Sequence, residues 1–233
     1  MHLRVGRYFA LKNSVMEMDS QAAFWSELDS GMTGWRLLVK QSVDYLIALA
    51  LFPLLALISV TIGIAIKLES KGPVFFEQVR VGKNGRRFSM VKFRSMYEGA
   101  EKIRIDVEHL NEVRGPAFKM RSDPRVTRLG SFLRRSSLDE LPQLINVLRG
   151  DMSLVGPRPP LPHEVDRYNR HQLQRLAVKP GLTCLWQVNG RSNVSFDHWV
   201  EFDLEYIRKQ SLWLDFKIVL KTIPAVLKGH GAW

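Results

Sequence analysis

Residues 45–66 read YLIALALFPLLALISVTIGIAI, an apolar run without a charged side chain and with Pro53 near its centre. At about 1.5 Å of rise per residue, a straight helix of this length would cross the roughly 30 Å hydrocarbon layer of a bilayer. Pro53 argues against a straight helix, because it has no N–H to donate to the Leu49 carbonyl and its ring clashes with that group. Two arrangements stay open: a bent transmembrane span, or a re-entrant helix that returns to the same membrane face.

Basic residues lie on both sides of this run. Arg36 and Lys40 precede it, and a larger group follows: Lys67, Lys71, Arg80, Lys83, Arg86 and Arg87. Since Lys and Arg mark the cytoplasmic side of membrane helices, the flanks favour both ends on the cytoplasmic face. We therefore expect a variable N-terminal extension over residues 1–35, a re-entrant, Pro53-kinked membrane helix over 36–70 and a cytoplasmic domain over 71–233.

The charge is concentrated in the cytoplasmic domain. The formal net charge is +11, and residues 1–44 contribute nothing to it because their five Lys/Arg balance five Asp/Glu. Such an excess suits nucleic acid, an anionic lipid surface or a phosphate-rich substrate. Cys184 is the only cysteine, which excludes an internal disulfide and agrees with a reducing compartment.

The pattern after the membrane helix predicts an α+β domain that is mostly helical. Asn84-Gly85 is a strong hairpin signal between two runs of strand-forming residues, 74–81 and 88–94. Helical patterns follow over residues 123–135, 141–149, 164–178 and 196–227. The last of these is amphipathic, and it predicts either a core helix or a helix in the membrane interface.

Two adjacent acids, Asp139 and Glu140, stand just before Pro142 in the stretch RRSSLDELPQL. Pro142 favours a helix start at that proline, and Ser137 offers an earlier start with Glu140 completing a capping box. Either start puts both acids at a helix N-terminus, where one carboxylate can attack phosphorus or hold Mg²⁺ and the other can bind the metal or move a proton. Stabilisation of the helix dipole is the alternative reason for their position.

Basic side chains accompany the acids in sequence. They are Arg134 and Arg135, Arg158 in the proline-locked GPRPP loop, and Lys92 and Arg94 on the second predicted strand. This set fits a diphosphate substrate with Mg²⁺, whereas solvated surface charge is the alternative. The stretch KPGLTCLWQVNGRS adds Trp186, Gln187 and Arg191, which indicate either a ligand contact or a buried strand.

Three strings together resemble the bacterial sugar transferase family, the monotopic phosphoglycosyl transferases that initiate exopolysaccharide and glycan assembly. They are KLESKGPVFFEQVRVGKNGRRFSMVKFRSM, DPRVTRLGSFLRRSSLDELPQLINVLRGDMSLVGPRPP and KPGLTCLWQVNGRS, in the family's order. Two positions depart from the family: Phe52 replaces a serine common before the kink proline, and Cys184 replaces a glycine. Cys184 is tolerable there unless the position needs a positive φ.

The resemblance implies transfer of a sugar 1-phosphate from a UDP-sugar to polyprenyl (undecaprenyl) phosphate, with Mg²⁺ and release of UMP, at the bacterial inner membrane. By similarity, Asp139 is the nucleophile of a ping-pong mechanism and Glu140 assists it, with both as metal ligands. The expected phosphate- and substrate-binding residues are Arg134, Lys92, Arg94, Arg158, Arg125, Gln187 and Arg191.

Other functions stay open from the sequence alone. One is a membrane-anchored basic module that binds nucleic acid or anionic lipid without catalysis, although the aromatic residues are interleaved with aliphatic ones, and we therefore expect no nucleic-acid partner. Another is an inactive scaffold, against which the intact Asp139-Glu140 pair argues. The identity of the sugar is not readable, and the oligomeric state is open, with a homodimer as one option.

Overall fold

The computed structural model describes residues 31–100, 120, 122–189 and 195–228. The predicted N-terminal extension therefore lies almost entirely outside the described residues, and so does Arg191. All helices and strands named below lie within these residues.

The apolar run forms helix α1, Gly34–Glu69, which is 36 residues long. It is long and apolar enough to cross a membrane by length and composition. The helix continues through Pro53, so the proline removes one hydrogen bond without ending it. A stripe of buried residues at separations of four and seven lies along one face: Lys40, Asp44, Ala48, Leu55, Ile62 and Ile66. Large apolar side chains on the rest of the surface are exposed, among them Leu46, Leu57 and Leu68.

A β-hairpin follows, as predicted. Strands β1, Phe75–Val81, and β2, Arg87–Phe93, pair antiparallel in a register that puts Phe75 opposite Phe93. The turn contains the 3₁₀ segment Lys83–Gly85, in which Asn84 has φ 54° and Gly85 has φ 75°. Asn and Gly tolerate this left-handed conformation better than other residues, which is why this dipeptide predicts the hairpin.

The segment that carries the two acids begins at Ser137, the earlier of the two starts that the sequence left open. Helix α2, Arg128–Arg135, is capped by Thr127, whose Oγ1 accepts from the Gly130 N–H at 2.9 Å. A 3₁₀ segment, Leu138–Gln143, then leads into helix α3, Leu144–Leu148. The predicted start at Pro142 is therefore wrong. The predicted capping box is also wrong, because the Ser137 side chain makes no capping hydrogen bond.

A second sheet has two short strands, of which one lies in the stretch KPGLTCLWQVNGRS, where a buried strand was one predicted alternative. Strands β3, Ser153–Val155, and β4, Gly181–Thr183, pair in parallel. The backbones approach closely at Gly181 and Gly156: a Cβ atom on Gly181 would lie only 2.0 Å from the Gly156 nitrogen. Any other residue at Gly181 would push the two segments apart.

The predicted helix over residues 164–178 is wrong, because the structure has three shorter pieces there. They are α4, Pro162–Val165, α5, Arg170–Leu173, and a 3₁₀ segment, Gln174–Ala177. The Asn169 side chain accepts from the Gln172 N–H, and the Gln172 side chain accepts from the Asn169 N–H. This capping box starts a new helix at Arg170.

Three further helices complete the described chain: α6, Leu185–Val188, α7, Phe196–Arg208, and α8, Leu212–Lys228. Helix α7 is a core helix, and its Trp199 ring stacks on the Trp186 ring with the two centroids 4.6 Å apart. Cys184, just before α6, is buried with φ −149°, an extended conformation that does not require glycine. Helix α8 instead exposes a row of large apolar side chains: Leu212, Trp213, Phe216, Val219, Leu220 and Ile223.

Both ends of α1 are attached to the same domain. Near its start, Lys40 Nζ lies 2.5 Å from the Asp215 carboxylate of α8 and 3.3 Å from Asp44. Near its end, Ile62 and Ile66 pack with Phe93 and Leu133. Lys40 is therefore a buried ion-pair partner rather than an exposed flanking charge. The helix lies along the domain instead of projecting from it.

Candidate active site

Asp139 and Glu140 lie in the first turn of the 3₁₀ segment Leu138–Gln143. The residue before this segment, Ser137, has a strained backbone. Ser137 has φ 56°, a left-handed conformation that non-glycine residues rarely adopt. Strain of this kind is concentrated at functional sites, where the surrounding structure stabilises it. Asp139 is 8% exposed, so its carboxylate lies largely out of water.

Glu140 is held by the hairpin. Lys92 Nζ on β2 donates to Glu140 Oε1 at 2.7 Å, and both side chains are partly buried. The register of the hairpin sets the position of Lys92, because its partner on β1 is Phe76. Residues 48 positions apart in sequence therefore meet here.

The proline-locked loop after β3 lines the same pocket. Arg158 and Pro159 border it together with Lys92, Glu140 and Gln187. The loop is fixed from two sides: the Val81 N–H donates to Pro160 O at 3.0 Å, and the Gly181 N–H donates to Pro157 O at 3.0 Å. A loop fixed in this way holds its arginine with little loss of conformational entropy on binding.

Arg80 also lines this pocket, although it was not among the predicted site residues. Its Nη1 donates to Pro159 O at 2.9 Å, and its Nε and Nη2 donate to Gln78 Oε1 at 3.1 and 2.7 Å. Burial, with Arg158 nearby, lowers the pKa of Arg80 to about 10. A basic residue that the strand alternation points toward the buried face was the signal that could have identified it.

The environment separates the pKa values of the two acids. Burial raises the pKa of Asp139 to about 6, although Lys92 acts in the opposite direction. Burial also disfavours the charged form of Glu140, but the charge and hydrogen bond of Lys92, together with Arg158 and Arg80, outweigh it and lower the pKa of Glu140. Adjacent carboxylates with separated pKa values can take different roles in one reaction.

The other predicted binding residues lie at different distances from the two acids. Arg134 donates from Nε to Ser95 Oγ at 3.0 Å, and Asp139 is close enough to influence its pKa, which burial lowers. Arg94 instead donates to Ser70 O and Oγ at the end of α1. Arg125 forms a two-pronged ion pair with Asp123. The structure thus brings Lys92, Arg158 and Gln187 together with Glu140 in the pocket lining. Among the described residues, Asp139, Arg134, Arg94 and Arg125 lie outside that lining.

Asp139 and Glu140 fit a Mg²⁺ site if the phosphates of the substrate supply further oxygen ligands. Among the described residues no group of three or more His, Cys, Asp or Glu side chains is placed to hold a metal. Mg²⁺ in phosphoryl-transfer sites is commonly held by one or two carboxylates and by substrate phosphates. Asp139 and Glu140 can supply the two carboxylates, and Glu140 retains Oε2 beside the oxygen that Lys92 occupies.

The buried Asp139, the partly buried Glu140 and the nearby cations, on a domain with a long apolar helix, fit a phosphoryl-transfer site. The chain belongs to the bacterial sugar transferase family, whose model matches residues 15–229.

Curated relatives agree with this membership. The chain is 52% identical over 162 residues to the galactosyl transferase CpsE of Streptococcus agalactiae, covering 69% of this chain and 36% of that protein. It is 41% identical over 201 residues to the exopolysaccharide production protein ExoY of Rhizobium meliloti, covering 84% and 88%. It is 43% identical over 166 residues to the undecaprenyl-phosphate galactose phosphotransferase of Salmonella typhimurium, covering 70% and 35%. The chain thus spans about a third of CpsE and most of ExoY.

Proposed function

We propose that the protein transfers a sugar 1-phosphate from a UDP-sugar to polyprenyl phosphate, as the first membrane step of exopolysaccharide or glycan assembly. One observation carries the proposal. Glu140 lines a pocket that Lys92, Arg80 and Arg158 make basic, and its neighbour Asp139 has a raised pKa where that of Glu140 is lowered. The positive charge of the pocket is the sign that a diphosphate requires, and the Salmonella relative is named an undecaprenyl-phosphate galactose phosphotransferase.

In the first step, an Asp139 carboxylate oxygen attacks the phosphorus that bears the sugar. A bond forms between that oxygen and phosphorus, the bond from phosphorus to the UMP oxygen breaks, and UMP leaves with the electron pair. Lys92 and the two arginines stabilise the charge on the phosphate oxygens. Arg158 is suited to this because, within the described part of the chain, its guanidinium is not used in a side-chain hydrogen bond.

In the second step, a phosphate oxygen of polyprenyl phosphate attacks the same phosphorus. The new bond gives a polyprenyl diphosphate sugar, and the bond to Asp139 breaks and restores the carboxylate. A covalent intermediate lets a cytosolic donor and a membrane acceptor use one site in turn. Glu140 keeps the Lys92 ammonium in position in this site, because its Oε1 accepts a hydrogen bond from Lys92 Nζ.

Asp139 and Glu140 would hold Mg²⁺ together with the donor's diphosphate. The ion supplies charge neutralisation for the diphosphate and the leaving UMP.

The apolar surfaces support a position on one face of the bacterial inner membrane, with the site toward the cytoplasm. Lys40 and Ile66 would be roughly 40 Å apart along a straight helix, yet both contact the same domain. A charged domain cannot follow α1 across the hydrocarbon layer. We therefore infer that both ends of α1 stay on one face of the membrane with its exposed apolar side toward the lipid, and that the exposed row on α8 lies in the same interface.

The test is UMP release from a panel of UDP-sugars with undecaprenyl phosphate and Mg²⁺. We expect release with one sugar by the wild type and none by Asp139→Asn. Asp166→Asn, which makes the same chemical change on an exposed side chain, is the control and should retain full activity. Wild-type rates in Asp139→Asn, or initial rates with a sequential pattern, would contradict the mechanism.

A further inference from the structure

A buried amide joins the strand that carries Lys92 to the helical element that carries the two acids. Asn146 lies on α3 and is 0% exposed. Its Oδ1 accepts from the Val91 N–H at 3.1 Å, and its Nδ2 donates to Ser89 O at 2.7 Å. Both partners belong to β2. The amide thus binds this strand through one donor and one acceptor, outside the lining of the pocket.

The two bonds fix β2 along its own axis. Successive residues of a strand direct their backbone groups to opposite edges, so Ser89 and Val91 present theirs to one edge of β2 while β1 pairs with the other. These two residues are roughly 7 Å apart along the strand. A shift of β2 by one residue would turn its side chains to the opposite face and break both bonds. The Asn146 amide therefore holds one register of β2 against α3.

The backbone connects Asn146 rigidly to the acids. The 3₁₀ segment that carries Asp139 and Glu140 runs directly into α3, so the acids and Asn146 lie on one continuous helical element. The Asn146 carbonyl also accepts from the N–H groups of Asp151 and Met152 at 3.0 and 3.2 Å, which closes the turn after α3. A change in the separation between the amide and the acids would therefore break backbone hydrogen bonds.

The amide holds the backbone directly beside Lys92, whose Nζ donates to Glu140 Oε1 at 2.7 Å. Lysine has a flexible four-carbon stem, so the position of its ammonium depends on where its backbone is held. Leu144 and Val147, which flank the amide on α3, belong to an apolar core cluster. An apolar side chain in place of Asn146 would fill the same space without the desolvation cost of an amide. The amide adds directional bonds to β2.

We propose that Asn146 is a positioning residue: it fixes β2 so that the Lys92 ammonium stays beside Glu140 and the reacting phosphate. The role is indirect, because Asn146 contacts the strand and Lys92 contacts the substrate. The proposal rests on the proposed function for the identity of the reaction. It predicts that Asn146 matters for turnover only while Lys92 is present.

The kinetic test is a double-mutant cycle in the full chain. Asn146→Ala should lower the kcat for UMP release, per folded enzyme, by about 10²-fold, the scale of a roughly 1 Å misplacement at an active site. In the Lys92→Met background the same substitution should have little further effect, because Asn146 acts through Lys92. A loss by the same factor in both backgrounds would overturn the proposal.

Two further variants separate positioning from stability. Val200→Ala removes buried contacts in the core around α7 and should keep the wild-type kcat per folded enzyme. Asn146→Asp keeps the shape of the side chain and replaces Asn146→Ala if that variant does not fold. Its protonated carboxyl can donate to Ser89 O and its ionised form cannot, so a loss of kcat relative to wild type at alkaline pH should be recovered as the pH falls. A low relative kcat that does not recover would overturn the proposal.

A labelling test decides the proposal without turnover. Acetylation of lysine side chains by an N-hydroxysuccinimide ester is followed by mass spectrometry, with the exposed Lys209 as the internal reference. In Asn146→Ala, Lys92 should react several-fold faster than in wild type, because its ion pair with Glu140 is loosened. An unchanged Lys92 rate, or an equal increase in Val200→Ala, would overturn the proposal. Faster labelling of Lys92 in Asn146→Ala, when the wild type releases UMP from no UDP-sugar, would support the role of Asn146 and refute the proposed function.

Discussion

Replacing the proposed nucleophile should stabilise the fold while it abolishes activity. Burial raises the pKa of Asp139 from 3.8 to about 6, so the charged form is less stable in the folded protein than in the unfolded chain. A shift of about 2 pH units at roughly 1.4 kcal/mol per unit corresponds to about 3 kcal/mol at pH 7.5. Asp139→Asn has nearly the same shape and carries no charge, so it should recover that free energy.

The sign of the pH dependence follows from the same shift. Between about pH 4 and 6 the folded protein holds the Asp139 proton and the unfolded chain has released it. The contribution of Asp139 to the free energy of unfolding is therefore fully present below about pH 4 and is lost as the pH rises through 6. The advantage of Asp139→Asn should fall from about 3 kcal/mol at pH 7.5 to about 1 kcal/mol at pH 4.5.

The assay is thermal unfolding of both proteins in one detergent, with EDTA so that no divalent ion offsets the carboxylate charge. For a chain of this size, 3 kcal/mol corresponds to a rise in Tm of about 6–12 °C at pH 7.5. Asp166→Asn is the control, because a surface change of this kind stays within about 0.5 kcal/mol. The reasoning is refuted if Asp139→Asn is no more stable than wild type at pH 7.5, or if the difference is independent of pH.

Two further substitutions test how the site is supported. Lys40→Met leaves the buried Asp44 and Asp215 without their shared cation and should cost about 3–5 kcal/mol in urea unfolding. Its control, Lys209→Met, breaks an exposed ion pair and should cost less than about 1 kcal/mol. Gly181→Ala puts a Cβ atom 2.0 Å from the Gly156 nitrogen and should lower stability by about 1–3 kcal/mol or more. Gly63→Ala, which meets only an ordinary contact, should be near neutral in stability. If Lys40→Met were as stable as Lys209→Met, or Gly181→Ala as stable as Gly63→Ala, the role inferred for Lys40 or for Gly181 would be contradicted.

Local patterns in the sequence determined the main elements of the site. The uncharged run 45–66 is part of α1, and Asn84-Gly85 closes the hairpin, because composition and turn chemistry act within a few residues. The two acids do lie in the first turn of a helical segment, although this segment starts at Leu138 as a 3₁₀ turn. That start depends on the left-handed Ser137, and no local rule favours serine in that conformation.

The tertiary structure alone decided which charges share the pocket and which do not. Arg80 and Arg94 are both basic hairpin residues, yet Arg80 meets the loop at Pro159 and Arg94 meets the end of α1 at Ser70. Lys40 looked like a surface charge in sequence, but it pairs with Asp215, 175 positions away. Partners at such separations are set by how helices and strands pack, and a local pattern carries no information about them. The sequence thus determined which chemical groups the protein has, and packing decided where they meet.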